Sequence, residues 1–122
     1  MKDRRIERIN SLLKEVISSI IRKEVKNPHI PDLLTITEVR VTKDLHYAKV
    51  FVSLIGGDKK KAIEALQSAA GFIAVKASKE VVLRYFPELT FVLDDSVEKR
   101  MQIESVIDEI RNERESRAAN GD

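Results

Sequence analysis

The stretch Ser68-Ala69-Ala70-Gly71-Phe72-Ile73 interrupts a helical pattern running from about Lys59 to Arg84, and its reading decides the fold. An unbroken helix of that length spans roughly 39 Å at 1.5 Å per residue. The radius of gyration expected of so short a chain implies a diameter of about 35 Å, so such a helix would overshoot the domain. Three small residues in succession supply the break. Ala69 and Ala70 expose backbone, and Gly71, without a Cβ, permits a dihedral change that other residues resist. A helix-kink-helix is predicted, and its small residues let another surface approach closely. That surface belongs either to the same domain or to a partner.

Upstream, Ile6, Ile9, Leu13, Val16, Ile17, Ile20 and Ile21 recur at helical spacing, predicting a first helix from about Asp3 to Val25 with its apolar stripe in the core. Pro28 and Pro31 end it, because they remove backbone donors and fix φ. Two runs rich in β-branched and aromatic residues follow, Leu34 to Thr42 and His46 to Leu54, joined by Lys43-Asp44-Leu45. They predict a β-hairpin. Ala48, Val50, Val52 and Leu54 share one face of the second strand, whereas the apolar parity of the first changes between Ile36 and Val39. A bulge near Thr37-Glu38 absorbs that slip. Asp58, after Gly56-Gly57, is the expected N-cap of the broken helix pair. Phe72, Val75 and Val82 widen the apolar face beyond Gly71, so the second half of the pair is expected to be the more buried, with Phe51, Phe72 and Phe91 in the core.

Phe86-Pro87 stops the helical pattern, and Leu89-Thr90-Phe91-Val92-Leu93 predicts a third strand that returns parallel to a member of the hairpin. A last helix follows, capped by Asp95 or Ser96 with Glu98 completing a capping box, and Ile103, Val106, Ile107 and Ile110 form its stripe. From about Arg111 the spacing stops. The chain thus divides into one domain over residues 1–110 and a mobile tail over 111–122. The class is α+β, a mixed three-stranded sheet packed by helices. The order helix, strand, strand, kinked helix pair, strand, helix matches a K-homology arrangement of the second type. Nucleic-acid-binding domains of that kind clamp the backbone with a GXXG loop. Glycine occurs here only at 56, 57, 71 and 121, so the Ala-Ala-Gly break stands in the loop's place.

The 122 residues contain no cysteine, which excludes disulfides and thiolate chemistry and points to a cytoplasmic setting. The charged opening has no apolar h-region, and no apolar run approaches the roughly 20 residues that cross a bilayer. A soluble protein is expected. His29 and His46 lack a second histidine or cysteine at ligand spacing, so neither a metal site nor a cofactor is expected. Asp94-Asp95 suits capping better than paired-carboxylate catalysis. Phosphate-loop and dinucleotide fingerprints are absent.

The net charge of +2 hides an asymmetry. Residues 1–83 carry 16 Lys and Arg against 10 Asp and Glu, a balance of +6, and residues 84–122 carry 6 against 10, a balance of −4. Such a pattern suits oriented nucleic-acid binding, and equally suits ordinary surface variation. Lys59-Lys60-Lys61 sits in the first turn of a helix, where the macrodipole disfavours cations by about 0.3–1 kcal/mol each, so a phosphate held there is one reading and plain solubility the other. Arg4, Arg5, Arg8, Lys43, Lys49, Lys76, Lys79 and Arg84 extend the basic surface, and Ala69, Ala70 and Gly71 complete the candidate binding residues. Without nucleic acid, the kinked helices suit a protein-interaction adaptor; an enzyme would need a convergent polar pocket that these residues do not build.

The segments RRIERINSLLKEVISSII (4–21), VTKDLHYAKVFVSL (41–54), AAGFI (69–73) and LRYFPELTFVLDDSVEK (83–99) together resemble the bacterial ribosome-binding factor A family over about residues 3–110. The resemblance implies a K-homology-like domain that binds the free small (30S) ribosomal subunit and 16S rRNA, and a monomer is expected. It also implies assistance in late rRNA maturation, notably in the cold, without catalysis. Ala74 departs from the basic residue common in that family just after the GFI segment.

Overall fold

The computed structural model of the chain describes residues 3–96, 103 and 106–112. Asp3 opens helix α1, Arg4–Glu24, by accepting the Arg5 N–H at 2.9 Å. Ile9, Leu13, Ile17, Ile20 and Ile21 form its buried stripe. Leu13 and Ile17 are fully buried, each worth about 1.5–3 kcal/mol in transfer alone, so Leu13→Ala would cost about 2–5 kcal/mol.

Strands β1, Leu34–Val41, and β2, Tyr47–Leu54, pair antiparallel; β3, Glu88–Leu93, adds parallel to β2, giving the order β1-β2-β3. The predicted bulge is present. The register passes from Ile36↔Val52 to Glu38↔Phe51, leaving Thr37 unpaired and returning Val39 and Val41 to the buried face. α1 packs on that face beside β1, while helices α2, Lys59–Ser68, and α3, Ala70–Ser78, lie against β3. Both outer strands are blunted by side-chain amides. Asn10 Oδ1 accepts the Val41 N–H at 2.9 Å on β1. On β3, Gln67 Nε2 donates to the Leu89 carbonyl at 3.1 Å and its Oε1 accepts the Phe91 N–H at 2.9 Å, mimicking one residue of a further strand.

The break falls at Ala69 rather than at Gly71. Ala69 closes α2 and opens α3 with φ −87° and ψ −1°, a bridge conformation that a residue with a Cβ adopts, so glycine's freedom is not used. α3 also ends at Ser78, short of the expected Arg84. From there the chain must travel to the start of β3 beside His46, and extended residues advance about 3.3 Å each against 1.5 Å in a helix. Burial is not greater beyond the break: Ala62 and Leu66 are buried in α2, Ile73 and Ala77 in α3. Phe91 lies in the core as expected, but Phe51 is half-buried and Phe72 is 46% exposed.

Asp94 Oδ1 accepts the Ser96 N–H at 3.0 Å where the last helix starts. Residues 106–112 are helical, and the stripe of Ile103, Val106, Ile107 and Ile110 is exposed. Glu98 and residues 113–122 lie outside the described residues, so the capping box and most of the expected tail do too.

Candidate nucleic-acid interface

The kink presents a surface the core does not use. Gly71, Phe72 and Val75 are exposed on α3, and a Cβ built on Gly71 would meet nothing within 4 Å. Ala69 and Ala70 sit half-buried beneath them. Cations rim this apolar patch. Lys76 Nζ stands 5.6 Å from the centre of the Phe72 ring and 3.8 Å from Glu24 Oε1, an exposed ion pair of at most about 1 kcal/mol. Lys79 is exposed one turn on, and Lys23 lines the same shallow groove as Lys76 and Lys79. The last residue of α1, Glu24, and the chain that leaves it, through Lys26 to Asn27, border Ser68, Ala69 and Phe72. An exposed aromatic among unburied lysines can stack on a base or pack on a sugar while the ammonium groups meet phosphates.

A second cationic group lies at the other end of α1, roughly 27 Å away for the 18 residues between Arg5 and Lys23. Arg4, Arg5 and Arg8 are exposed on its first turns. Arg5 and Arg84 line one cleft with the β1–β2 turn, and Lys43 is exposed in that turn. That turn is tightly built: Asp44 Oδ1 accepts from the Thr42 hydroxyl at 2.6 Å and the His46 N–H at 3.0 Å. These two bonds, the hydroxyl first, hold the Asp44 carboxyl below the usual carboxylate range.

Lys49 stands apart on the bare face of the sheet, directly across from Arg40. Arg40 hydrogen-bonds Glu38 at 2.7 Å, which raises it further above its ordinary value, and lies 5.1 Å from the centre of the Phe51 ring. Lys59, Lys60 and Lys61 open α2 as expected, but its own cap serves one of the N–H groups that would meet a phosphate: Asp58 Oδ1 accepts from Lys61 at 3.1 Å. The candidate residues therefore form separate groups, not one patch. Sequence reasoning missed Lys23, Lys26, Phe72 and Val75 at the kink; hydrophobicity assigned the last two inward, although the buried stripe Ala62-Leu66-Ile73-Ala77 keeps one helical face through the break and leaves both positions off it. Among the described residues no three His, Cys, Asp or Glu gather to hold a metal ion, and no helix is long and apolar enough to cross a membrane.

The family model for ribosome-binding factor A matches residues 5–107. The chain belongs to the ribosome-binding factor A family. Ribosome-binding factor A of Protochlamydia amoebophila is 59% identical over 119 residues, covering 96% of this chain and 91% of its own. The crystal structure of ribosome-binding factor A from Thermus thermophilus superposes with a TM-score of 0.67 at 25% identity, covering 72% of this chain and 94% of that one. A homology model of the Thermus thermophilus factor, fitted into a cryo-EM map of its 30S complex, shares the fold with a TM-score of 0.59 at 24% identity, over 70% of this chain and 91% of its own. The K-homology-like fold expected from the order of elements is the fold of these ribosome-binding factor A structures, with the Ala69 break where a GXXG loop would stand.

Proposed function

We propose that this protein binds immature small ribosomal subunits as a cytoplasmic monomer and assists late maturation of 16S rRNA, with growth in the cold most dependent on it. It acts by binding alone. Family membership gives the class of partner, and the exposed Gly71-Phe72-Val75 patch rimmed by Lys23, Lys76 and Lys79 is the observation that carries the mode of binding. Its apolar centre suits bases or sugars and its rim suits phosphates. A binding protein shifts an rRNA equilibrium only through differential affinity, so precursor and mature subunits are expected to bind with different strength.

The test is a salt titration of binding to purified precursor subunits. Removing one lysine–phosphate pair flattens the dependence of log affinity on log salt by up to about one unit. Lys76→Glu with Lys79→Glu should weaken binding and flatten that slope. The reversal of Lys59, Lys60 and Lys61 should do so less, because Asp58 already serves that helix end. Equal affinity for precursor and mature subunits, or normal 16S rRNA processing in cells lacking the protein, would refute the reading.

A further inference from the structure

The cleft between the β1–β2 turn and the α3–β3 connection has a volume of about 340 Å³, within the roughly 300–1,000 Å³ of small-ligand pockets. Three distant parts of the chain build it: Arg5 from α1, Asp44-Leu45-His46 from the turn, and Val82 to Tyr85 from the connection. Leu45 holds φ at 63°, a left-handed conformation that costs a branched residue about 1–2 kcal/mol and is kept by the Thr42-Asp44-His46 hydrogen bonds. Tyr85 is 65% exposed and Val82 fully so, although both stand beside this hollow. The Arg84 guanidinium lies 5.5 Å from the Tyr85 ring centre.

Neither cation here is held by an acid, while the acid is itself engaged. Among the described residues neither Arg5 nor Arg84 has a carboxylate oxygen within 4.0 Å, even though Asp44 lines the same cleft. The Asp44 carboxylate serves the turn instead. An aromatic face, an apolar wall and two unpaired guanidinium groups around one hollow form a set that takes an unstacked nucleotide. The base lies on Tyr85, and the flanking phosphates meet Arg5 and Arg84.

The geometry points to a nucleotide-holding cleft for single-stranded RNA at this end of α1, separate from the kink. It rests on the reading that the protein binds small subunits, and adds a second RNA-binding point roughly 27 Å from the first.

The full chain carrying Tyr47→Phe has Tyr85 as its one tyrosine, so fluorescence reports stacking there directly. A single-stranded RNA of about ten nucleotides should quench that emission saturably. Tyr85→Ala should weaken binding of this RNA and of precursor subunits by roughly 5- to 150-fold, with Tyr85→Phe close to wild type. Weakened subunit binding by Tyr85→Ala with no quenching by RNA would show that the cleft seats a ribosomal protein, overturning the inference. Undiminished subunit binding by Tyr85→Ala, alongside weakened binding by Lys76→Glu, would overturn it and leave the proposed function standing. Failure of the wild type to bind subunits would remove both. Thermal melting of Tyr85→Ala checks that this exposed substitution leaves the fold intact.

Discussion

Thr37 Oγ1 donates to Asp94 Oδ2 at 2.5 Å across 57 residues, joining the bulge of β1 to the end of β3, two strands that do not pair. The bulge frees Thr37 from the ladder and thereby makes it available. Asp94 is tied in on its other side, its N–H donating to Val52 O at 2.7 Å. The end of the sheet is thus pinned across its full width. Thr37→Val keeps the shape and removes the donor to a partly buried carboxylate. A destabilisation of about 1.5–3 kcal/mol is expected in denaturant unfolding, and a change below 0.5 kcal/mol would show that the hydrogen bond carries no stability.

Gln67 serves two backbone groups of β3 at once. Gln67→Leu matches its volume but leaves the Leu89 carbonyl and Phe91 N–H without their partner. The expected cost is about 1–3 kcal/mol, together with faster amide exchange at Phe91. Unchanged exchange there would mean that water replaces the side chain at no cost.

At Gly71 folding and binding are expected to separate. A Cβ there meets nothing, and the residue lies inside α3, so Gly71→Ala should hold or raise stability by up to about 1 kcal/mol. Gly71→Leu should stay folded yet bind precursor subunits more weakly. Wild-type affinity for Gly71→Leu would exclude close approach at the kink.

The lowered Asp44 carboxyl makes the β1–β2 turn sensitive to acid. Because its value in the fold lies below that in the unfolded chain, its contribution is fully present above the ordinary carboxylate range and fades as pH falls through the lowered value. Asp44→Asn should therefore show less change in stability across that acidic interval than the wild type, as read from melting temperatures at a series of pH values.

Much of the fold is legible in the chain itself. Local periodicity sets the α1 stripe, and a parity change within a single strand, from Ile36 to Val39, suffices to locate the bulge at Thr37. What escapes depends on distant parts of the chain. Val81 and Val82 continue the spacing of a helix, yet the path to β3 ends α3 at Ser78. Phe72 has the hydrophobicity of a core residue, yet it lies off the helical face that buries Ala62, Leu66, Ile73 and Ala77, and that phase outweighs its apolar character. Leu45 occupies a left-handed position that glycine or asparagine ordinarily fills, because the Asp44 bonds and its own packing outweigh the strain. Arg5 and Arg84 meet in one cleft through tertiary folding that no local pattern announces.

Ala69 leaves no linker between α2 and α3. Its N–H is shared by the carbonyls of Ala65 and Leu66, both at 3.1 Å, and its own carbonyl accepts the Ile73 N–H at 2.9 Å. The two helices thus meet at a joint without slack, and two residues before that joint Gln67 grips β3. A load placed on Gly71 and Phe72 has no loop in which to dissipate. It passes into the edge of the sheet, so the backbone of Phe91, itself buried, becomes the natural place to listen for whatever docks on the kink.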